Sequence, residues 1–151
     1  MKVRLSKCSI SAAEIASVTE VLKAEGLGMG PKVAEFEESI KRYLRTDKDV
    51  VCVNTGTSAL QLALSALGIC SGDEVLVPSL TYVGTFQAIS ATGATPVSCE
   101  VNPDTLFIDL EDAKTRMTPR TKAIMPVHYA SSSSGMSDLY SFARKNQLRV
   151  V

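Results

Sequence analysis

The sequence contains no tryptophan, a single histidine and only four cysteines, none of them in a CxxC pair. These absences argue against a structural zinc site or a disulfide framework, because both need clustered thiol or imidazole groups. No apolar run approaches the roughly 18 residues that span a bilayer, and the N-terminus lacks a signal-peptide core. We therefore expect a soluble, cytoplasmic protein with no metal site and no membrane association.

An excess of positive charge is also absent, since 16 Lys and Arg balance 16 Asp and Glu. A neutral chain lacks the basic surface that binds nucleic acid, so no nucleic-acid partner is expected. Charge is scarcest in residues 51–100, which contain Asp73, Glu74 and Glu100 and no Lys or Arg. This stretch is predicted to form the buried centre of the fold. An anion bound there must be held by backbone N–H groups, helix dipoles and hydroxyls.

The 151 residues, of which 45% are apolar, suffice for a core of their own. Capping signals and helical spacing predict a segment of two charged helices in residues 1–49, opened by a capping box at Ser11. From residue 50 onward, short apolar runs alternate with helical patterns. The predicted strands are Val50–Val53, Glu74–Val77, Pro96–Val101, Lys122–Val127 and Leu148–Val151. This alternation predicts an α/β fold with a mostly parallel sheet and helices on both faces.

The first candidate site follows the first predicted strand, because ligands of open α/β sheets bind at the carboxyl ends of strands. Gly56 lets the backbone turn sharply there, and Thr57 and Ser58 stand at the N-terminus of a predicted helix. Free N–H groups, the positive helix end and two hydroxyls form a phosphate cup that needs no cation. An ordinary strand-to-helix turn with a capped helix has the same local pattern. Neither a P-loop ending nor a GxGxxG fingerprint is present.

Two further strand ends carry side chains that suit a ligand. Tyr82 follows the second predicted strand, where it either stacks on a planar ring or packs in the core. His128 follows the fourth predicted strand and is either a ligand contact or a partly buried histidine whose hydrogen bonds are satisfied. The serine-rich segment 131–135 is interpreted as a flexible surface loop.

The central part of the chain resembles a known enzyme family. The run NTGTSALQLALSALGICSGDEVLVPSLTYVGTFQAISATGATPV is similar to the cofactor-binding half of the DegT/DnrJ/StrS sugar aminotransferases, which are fold type I enzymes dependent on pyridoxal 5'-phosphate. The segments LSKCSIS and GPKVAEFEESIKRYL match upstream, and NPDTLFID, TPRTKAIMPVHYA and RVV match downstream. The resemblance therefore covers nearly the whole chain in the family's order. It implies that residues 50–151 form part of the cofactor-binding large domain.

The resemblance also implies roles for single residues. Gly56, Thr57 and Ser58 match the positions that contact the cofactor phosphate. Tyr82 matches the position that stacks on the pyridine ring. The segment 28–31 resembles an N-terminal loop near the subunit interface, so it is expected to border the substrate site.

The loop after the fourth predicted strand departs from the family pattern. His128 matches a family position, but the resemblance gives it no catalytic role. Ser131 stands where the family usually has glycine, and Gly135 stands where an acidic residue is common. The local conformation of this loop is therefore not implied by the resemblance.

In the family, the acidic residue that pairs with the pyridinium nitrogen and the Schiff-base lysine both follow the position of Val151. None of the nine lysines here stands in a matching context. Pyridoxal chemistry needs that lysine as covalent partner and base, so no catalytic residue is assigned. We expect these residues to be a truncated N-terminal portion that binds the cofactor weakly and is inactive alone.

The resemblance implies transfer of an amino group, with glutamate as the expected donor, to a keto-sugar linked to a nucleotide. Polysaccharide and antibiotic-sugar synthesis use such products, and family members are typically homodimers. Three alternatives stay open. They are a non-catalytic pseudoenzyme or binding fragment, the N-terminal part of a sugar dehydratase of the same family, and an unrelated nucleotide-binding α/β module.

Overall fold

The computed structural model describes residues 7–133 and 135–151. The chain divides between Cys52 and Val53 into two compact units. The first unit contains helices α1 (Ala12–Lys23) and α2 (Pro31–Leu44). The two helices that were predicted before the sheet are therefore present.

Local hydrogen bonds explain where α1 begins. The Ala13 N–H donates to the Ser11 hydroxyl at 3.2 Å, and the Ser11 N–H donates to the Glu14 carboxylate at 2.7 Å. This reciprocal arrangement is the predicted capping box, which is confirmed. Neither α1 nor α2 has a buried residue, and the apolar side chains of Ile15 and Val18 are more than half exposed.

The prediction of a buried strand at Val50–Val53 is wrong. These residues form no strand, and the Val51 side chain is 72% exposed. The Cys52 N–H donates to the Glu37 carboxylate at 2.7 Å. This N–H group is therefore not available for a hydrogen bond to a neighbouring strand. An apolar run becomes a strand only beside a pairing partner, and hydrophobic pattern does not supply that partner.

The second unit is built on a parallel sheet with the strand order β2-β1-β3-β4 within its described residues. The strands are β1 (Glu74–Pro78), β2 (Thr95–Cys99), β3 (Thr121–Ile124) and β4 (Arg149–Val150). The helices are α3 (Gly56–Ala66), α4 (Val83–Ala91), α5 (Leu110–Arg116) and α6 (Met136–Lys145), with a 3₁₀ turn at Tyr129–Ser131. Helix α5 is capped by Asp109, whose carboxylate accepts from the N–H groups of Glu111 and Asp112.

The core occupies both faces of the sheet because side chains alternate along each strand. On one face, Leu76 and Ile124 pack with residues of α5 and α6. On the other face, Val75 and Val77 pack with residues of α3 and α4, including Leu64. The predicted α/β class, with a parallel sheet covered by helices on both sides, is confirmed. In the described residues, no helix is long and apolar enough to cross a bilayer.

The strand order creates one crevice where ligands bind in sheets of this kind. The connection after β1 leads to β2 on one side, whereas the connection after β3 leads to β4 on the other. Adjacent strands whose connections diverge in this way leave a gap at their carboxyl ends. Tyr82 follows β1 at this edge, and His128 follows β3. Two of the candidate site residues therefore lie at the switch point of the sheet.

Candidate functional site

The N-terminus of α3 forms the first part of the site. Thr55 is the N-cap, and its hydroxyl oxygen accepts from the Ser58 N–H at 3.0 Å. The Ser58 hydroxyl donates to the Asn54 amide oxygen at 3.0 Å and lies 3.0 Å from the Thr55 hydroxyl. The Ser58 hydroxyl is thus committed to the first turn of the helix. The Thr57 hydroxyl, in contrast, has no hydrogen-bond partner among the described residues.

The first two N–H groups of α3 complete an anion-binding end. Within the described residues, the N–H groups of Gly56 and Thr57 donate to no protein group. Such N–H groups carry the positive end of the helix dipole and bind anions without a cation. The geometry therefore leaves the N-terminus of α3 open, with the Thr57 hydroxyl uncommitted, and a phosphate cup at this end stays a prediction.

Gly56 lies where the chain turns from the extended backbone of Thr55 into α3. It is the first residue of α3 and is not in the left-handed backbone region, so this turn does not need the backbone freedom of glycine. A Cβ built on Gly56 has no heavy atom within 4 Å. The missing side chain therefore leaves the approach to the helix end open, while the cap at Thr55 sets the direction of the chain.

Tyr82 forms the second part of the site at the start of α4. It is the N-cap residue, its side chain makes no capping hydrogen bond, and it is 78% exposed. The alternative that Tyr82 packs in the core is therefore wrong. An exposed aromatic ring beside a helix N-terminus is able to stack on a planar ligand.

Gly84 brings these two parts together, and sequence reasoning did not identify it. A Cβ at residue 84 would lie 2.6 Å from Thr57 Oγ1 and 3.0 Å from Tyr82 Cδ1. The hydroxyl of α3 and the ring that precedes α4 therefore lie around one point. The available signal was a glycine in the helical pattern that follows the second predicted strand, because a glycine inside a helix lowers stability by about 1 kcal/mol relative to alanine.

His128 lies at the same edge of the sheet and is exposed. Its Nδ1 lies 2.8 Å from the Ser132 carbonyl oxygen, which can only accept, so Nδ1 carries the proton. In the neutral ring this leaves the lone pair on Nε2. The ring is hydrogen-bonded but is not partly buried as one alternative expected. A ligand contact of His128 stays a prediction.

The loop after His128 accounts for one of the two departures from the family pattern, the glycine at residue 135. Ser131 adopts a left-handed backbone with φ 65°, which glycine takes without strain. Gly135 has φ 80°, and a Cβ there would lie 2.9 Å from the Phe107 ring. An acidic side chain would therefore clash at residue 135. The flexibility that was predicted for segment 131–135 is untested, and Ser134 lies outside the described residues.

The carboxyl edge of the sheet also carries one buried thiol. Cys99 ends β2, and burial raises its pKa to about 11. Because only the thiolate is a good nucleophile, Cys99 stays protonated and inert at neutral pH. The Ser79 N–H donates to the Cys99 carbonyl at 2.8 Å, which ties the chain after β1 to β2. Cys99 therefore has a structural role at this edge of the sheet.

Comparison with known proteins identifies the family. The sequence model of the DegT/DnrJ/EryC1/StrS aminotransferase family matches residues 8–151. The spore coat polysaccharide biosynthesis protein SpsC of Bacillus subtilis (strain 168) is 42% identical over 138 residues, which make up 91% of this chain and 35% of SpsC.

Solved structures agree with this match. DesV of S. venezuelae, in complex with a ketimine intermediate, superposes with a TM-score of 0.80 at 39% identity over 91% of this chain and 38% of DesV. The PLP-form of Spr1654 from Streptococcus pneumoniae gives a TM-score of 0.89 at 32% identity over 100% of this chain and 38% of that chain. The fold is that of the fold type I aminotransferases, and the chain spans little more than a third of the length of these relatives. The chain belongs to the DegT/DnrJ/EryC1/StrS aminotransferase family.

Proposed function

We propose that residues 53–151 supply the phosphate-binding and ring-stacking part of a pyridoxal 5'-phosphate site in a sugar aminotransferase. The observation that supports this most directly is the meeting of the Thr57 hydroxyl and the Tyr82 ring around Gly84. Both groups are uncommitted, since Thr57 Oγ1 has no hydrogen-bond partner in the described residues and the Tyr82 side chain is 78% exposed.

The residues present fit the chemistry of this cofactor. Pyridoxal 5'-phosphate joins an anion to a planar ring, and the site offers a helix end for the anion and an aromatic face for the ring. The open space beside Gly56 leaves room for the phosphate at the helix end. No Lys or Arg occurs in residues 51–100, so binding there depends on N–H groups and hydroxyls.

Each residue then has a defined task. When bound, the cofactor supplies an electron sink that stabilises negative charge at the substrate carbon. The N–H groups of Gly56 and Thr57 and the Thr57 hydroxyl hold the phosphate. Ser58 keeps the first turn of α3 in place through its bonds to Asn54 and Thr55. Tyr82 fixes the plane of the ring, which positions the bond that reacts.

We extend the proposal to the substrates and the assembly. A keto-sugar linked to a nucleotide would be the amino acceptor and an amino acid, glutamate by family resemblance, the donor. The name of SpsC, a spore coat polysaccharide biosynthesis protein, supports a role in sugar synthesis. The exposed apolar side chains of α1, such as Ile15 and Leu22, support a homodimer, because large apolar patches mark interfaces. We place the protein in the cytoplasm, where we expect its substrates.

Substitution of Thr57 by alanine tests the phosphate cup. We expect the dissociation constant for pyridoxal 5'-phosphate to rise about tenfold, because a hydrogen bond to a charged group contributes about 1.5–3 kcal/mol. Ser58→Ala should also weaken binding, through loss of order in the first turn. The measurement is equilibrium dialysis with absorbance detection of the cofactor.

Ser65→Ala is the matched control, since it removes an exposed hydroxyl from the same helix outside the site. It should bind the cofactor as the wild type does. Wild-type affinity in Thr57→Ala, or no binding by the wild-type chain, would contradict the proposal.

Residues 1–151 by themselves are expected to catalyse no transamination. In the second unit the lysines are Lys114, Lys122 and Lys145, and none lies at the carboxyl edge of the sheet. Lys122 is near the start of β3, at the opposite end of that strand from His128. A coupled assay with glutamate and a nucleotide-linked keto-sugar should give no turnover above cofactor alone. Borohydride should fix no stoichiometric cofactor to the chain, and turnover above the control would show that a lysine here serves the reaction.

A further inference from the structure

We propose that Gly84 is a positioning residue of the cofactor site, whose missing side chain allows the Thr57 hydroxyl and the Tyr82 ring to face one ligand together. The inference rests on the proposed function and adds to it a residue that sets the spacing between the phosphate end and the ring end of the site.

The space around residue 84 admits a side chain only if neighbouring side chains move. A Cβ there would lie 2.6 Å from Thr57 Oγ1, and 3.0 and 3.1 Å from two carbons of the Tyr82 ring. Carbon atoms in favourable contact are about 3.5–4.0 Å apart, so an alanine would push the hydroxyl and the ring away from each other. The three nearest atoms that the methyl group would meet all belong to side chains, so the Thr57 hydroxyl and the Tyr82 ring would have to move to admit it.

Backbone conformation does not explain this glycine. Gly84 is in the first turn of α4 and is not in the left-handed region, so any residue could adopt its conformation. A glycine in a helix is less stable than an alanine at the same position. Among the nine glycines, Gly84 is the single one that combines an ordinary backbone with a Cβ contact below 3.0 Å. The reason for glycine at this position is therefore the space between Thr57 and Tyr82.

The atoms that line this space favour a role in binding over a role in packing. A glycine that only lets two helices approach would face backbone or buried apolar atoms. Gly84 instead faces a hydroxyl without a hydrogen-bond partner in the described residues and the edge of a ring in a side chain that is 78% exposed. Both groups are available to a ligand, and Gly84 keeps them side by side.

The test is a double-mutant cycle between Gly84→Ala and Thr57→Ala, read out as the dissociation constant for pyridoxal 5'-phosphate. We expect Gly84→Ala to weaken binding about tenfold in the wild-type background. The Thr57→Ala background lacks the hydroxyl that the methyl group would displace. In that background, Gly84→Ala should raise the dissociation constant threefold or less. Gly26→Ala is the matched control, because its Cβ meets nothing within 4 Å and its backbone is not left-handed.

The outcomes separate this inference from the proposed function. Equal losses in both backgrounds, or unchanged affinity in Gly84→Ala, would overturn the positioning role and leave the phosphate cup intact. A wild-type chain that binds no cofactor would overturn the proposed function as well. If Gly84→Ala alone fails to fold, the double variant should fold with the thermal midpoint of Thr57→Ala, and an unfolded double variant would also overturn the positioning role.

Discussion

Replacement of Leu76 by alanine is expected to lower the free energy of unfolding of the second unit by about 3 kcal/mol. Leu76 is fully buried in β1, the strand that pairs with both β2 and β3. Its side chain lies in the cluster formed with α5 and α6, so truncation leaves a cavity that neighbours on every side must fill. The expected loss of unfolding free energy therefore includes both the transfer free energy of the removed apolar group and the cost of the cavity.

Urea unfolding followed by circular dichroism measures this loss. Leu62→Ala is the matched control, because Leu62 lies on α3 and is 53% exposed. Its substitution should change the free energy of unfolding by no more than about 0.5 kcal/mol. Equal effects of the two substitutions would show that β1 is not the centre of the core. Since β1 leads into Tyr82, Leu76→Ala should also weaken cofactor binding.

The second large effect on the free energy of unfolding is expected from substitution of Glu74, whose buried carboxylate lies at the start of β1. The Thr118 hydroxyl donates to Glu74 at 2.6 Å and the Thr121 hydroxyl at 3.2 Å, and the Arg120 guanidinium forms an ion pair with it. Hydrogen bonds to a charged acceptor contribute more than neutral ones, and a neutral amide satisfies these donors incompletely. Glu74→Gln should therefore lower the free energy of unfolding by about 2 kcal/mol at neutral pH.

The pH dependence of this effect has a defined sign. The hydrogen bond from Thr118 holds the pKa of Glu74 below its ordinary value of 4.5, and Arg120 and Thr121 act in the same direction against the effect of burial. The folded state therefore binds a proton less readily than the unfolded state. The stabilisation is complete above the unfolded pKa and is lost as the pH falls through the lower pKa of the folded state.

Urea unfolding at neutral pH and at about pH 3 tests this prediction. The difference between wild type and Glu74→Gln should shrink at acid pH, because the wild-type carboxyl then begins to take up a proton. Glu100→Gln is the control, since the Glu100 side chain is 69% exposed and its ion pair with Arg116 is long. That variant should lose little stability at either pH. A difference for Glu74→Gln that grows at acid pH would reverse the assigned sign.

Much of the local structure was predictable because its causes lie within a few residues along the chain. The capping box at Ser11 and the cap at Asp109 join side chains to N–H groups two or three residues away. The alternation of Val75, Leu76 and Val77 between the two faces of the sheet reflects only the geometry of a strand. Such signals are contained in a short window, so the α/β class followed from the sequence, whereas the family was indicated by the resemblance of its motifs.

The wrong prediction of a strand at Val50–Val53 shows that strand formation is not determined by a short window of sequence. Its apolar pattern meets every local requirement of a strand, yet a strand is stabilised by hydrogen bonds to another chain segment. The Cys52 N–H instead donates to the Glu37 carboxylate. Pairing is a property of the whole fold, so the sequence window could not decide it.

For this protein, the sequence by itself determined the helix starts, the parallel α/β class and the residue types at the strand ends. Only the tertiary structure decided which of these residues meet. Thr57 and Tyr82 are separated by a whole strand in sequence, and they lie around Gly84 because α3 and α4 pack on the same face of the sheet. The partners of Glu74 are likewise 44 to 47 residues away. The physical reason is that caps and periodicity act between near neighbours, whereas a binding site depends on packing between distant segments.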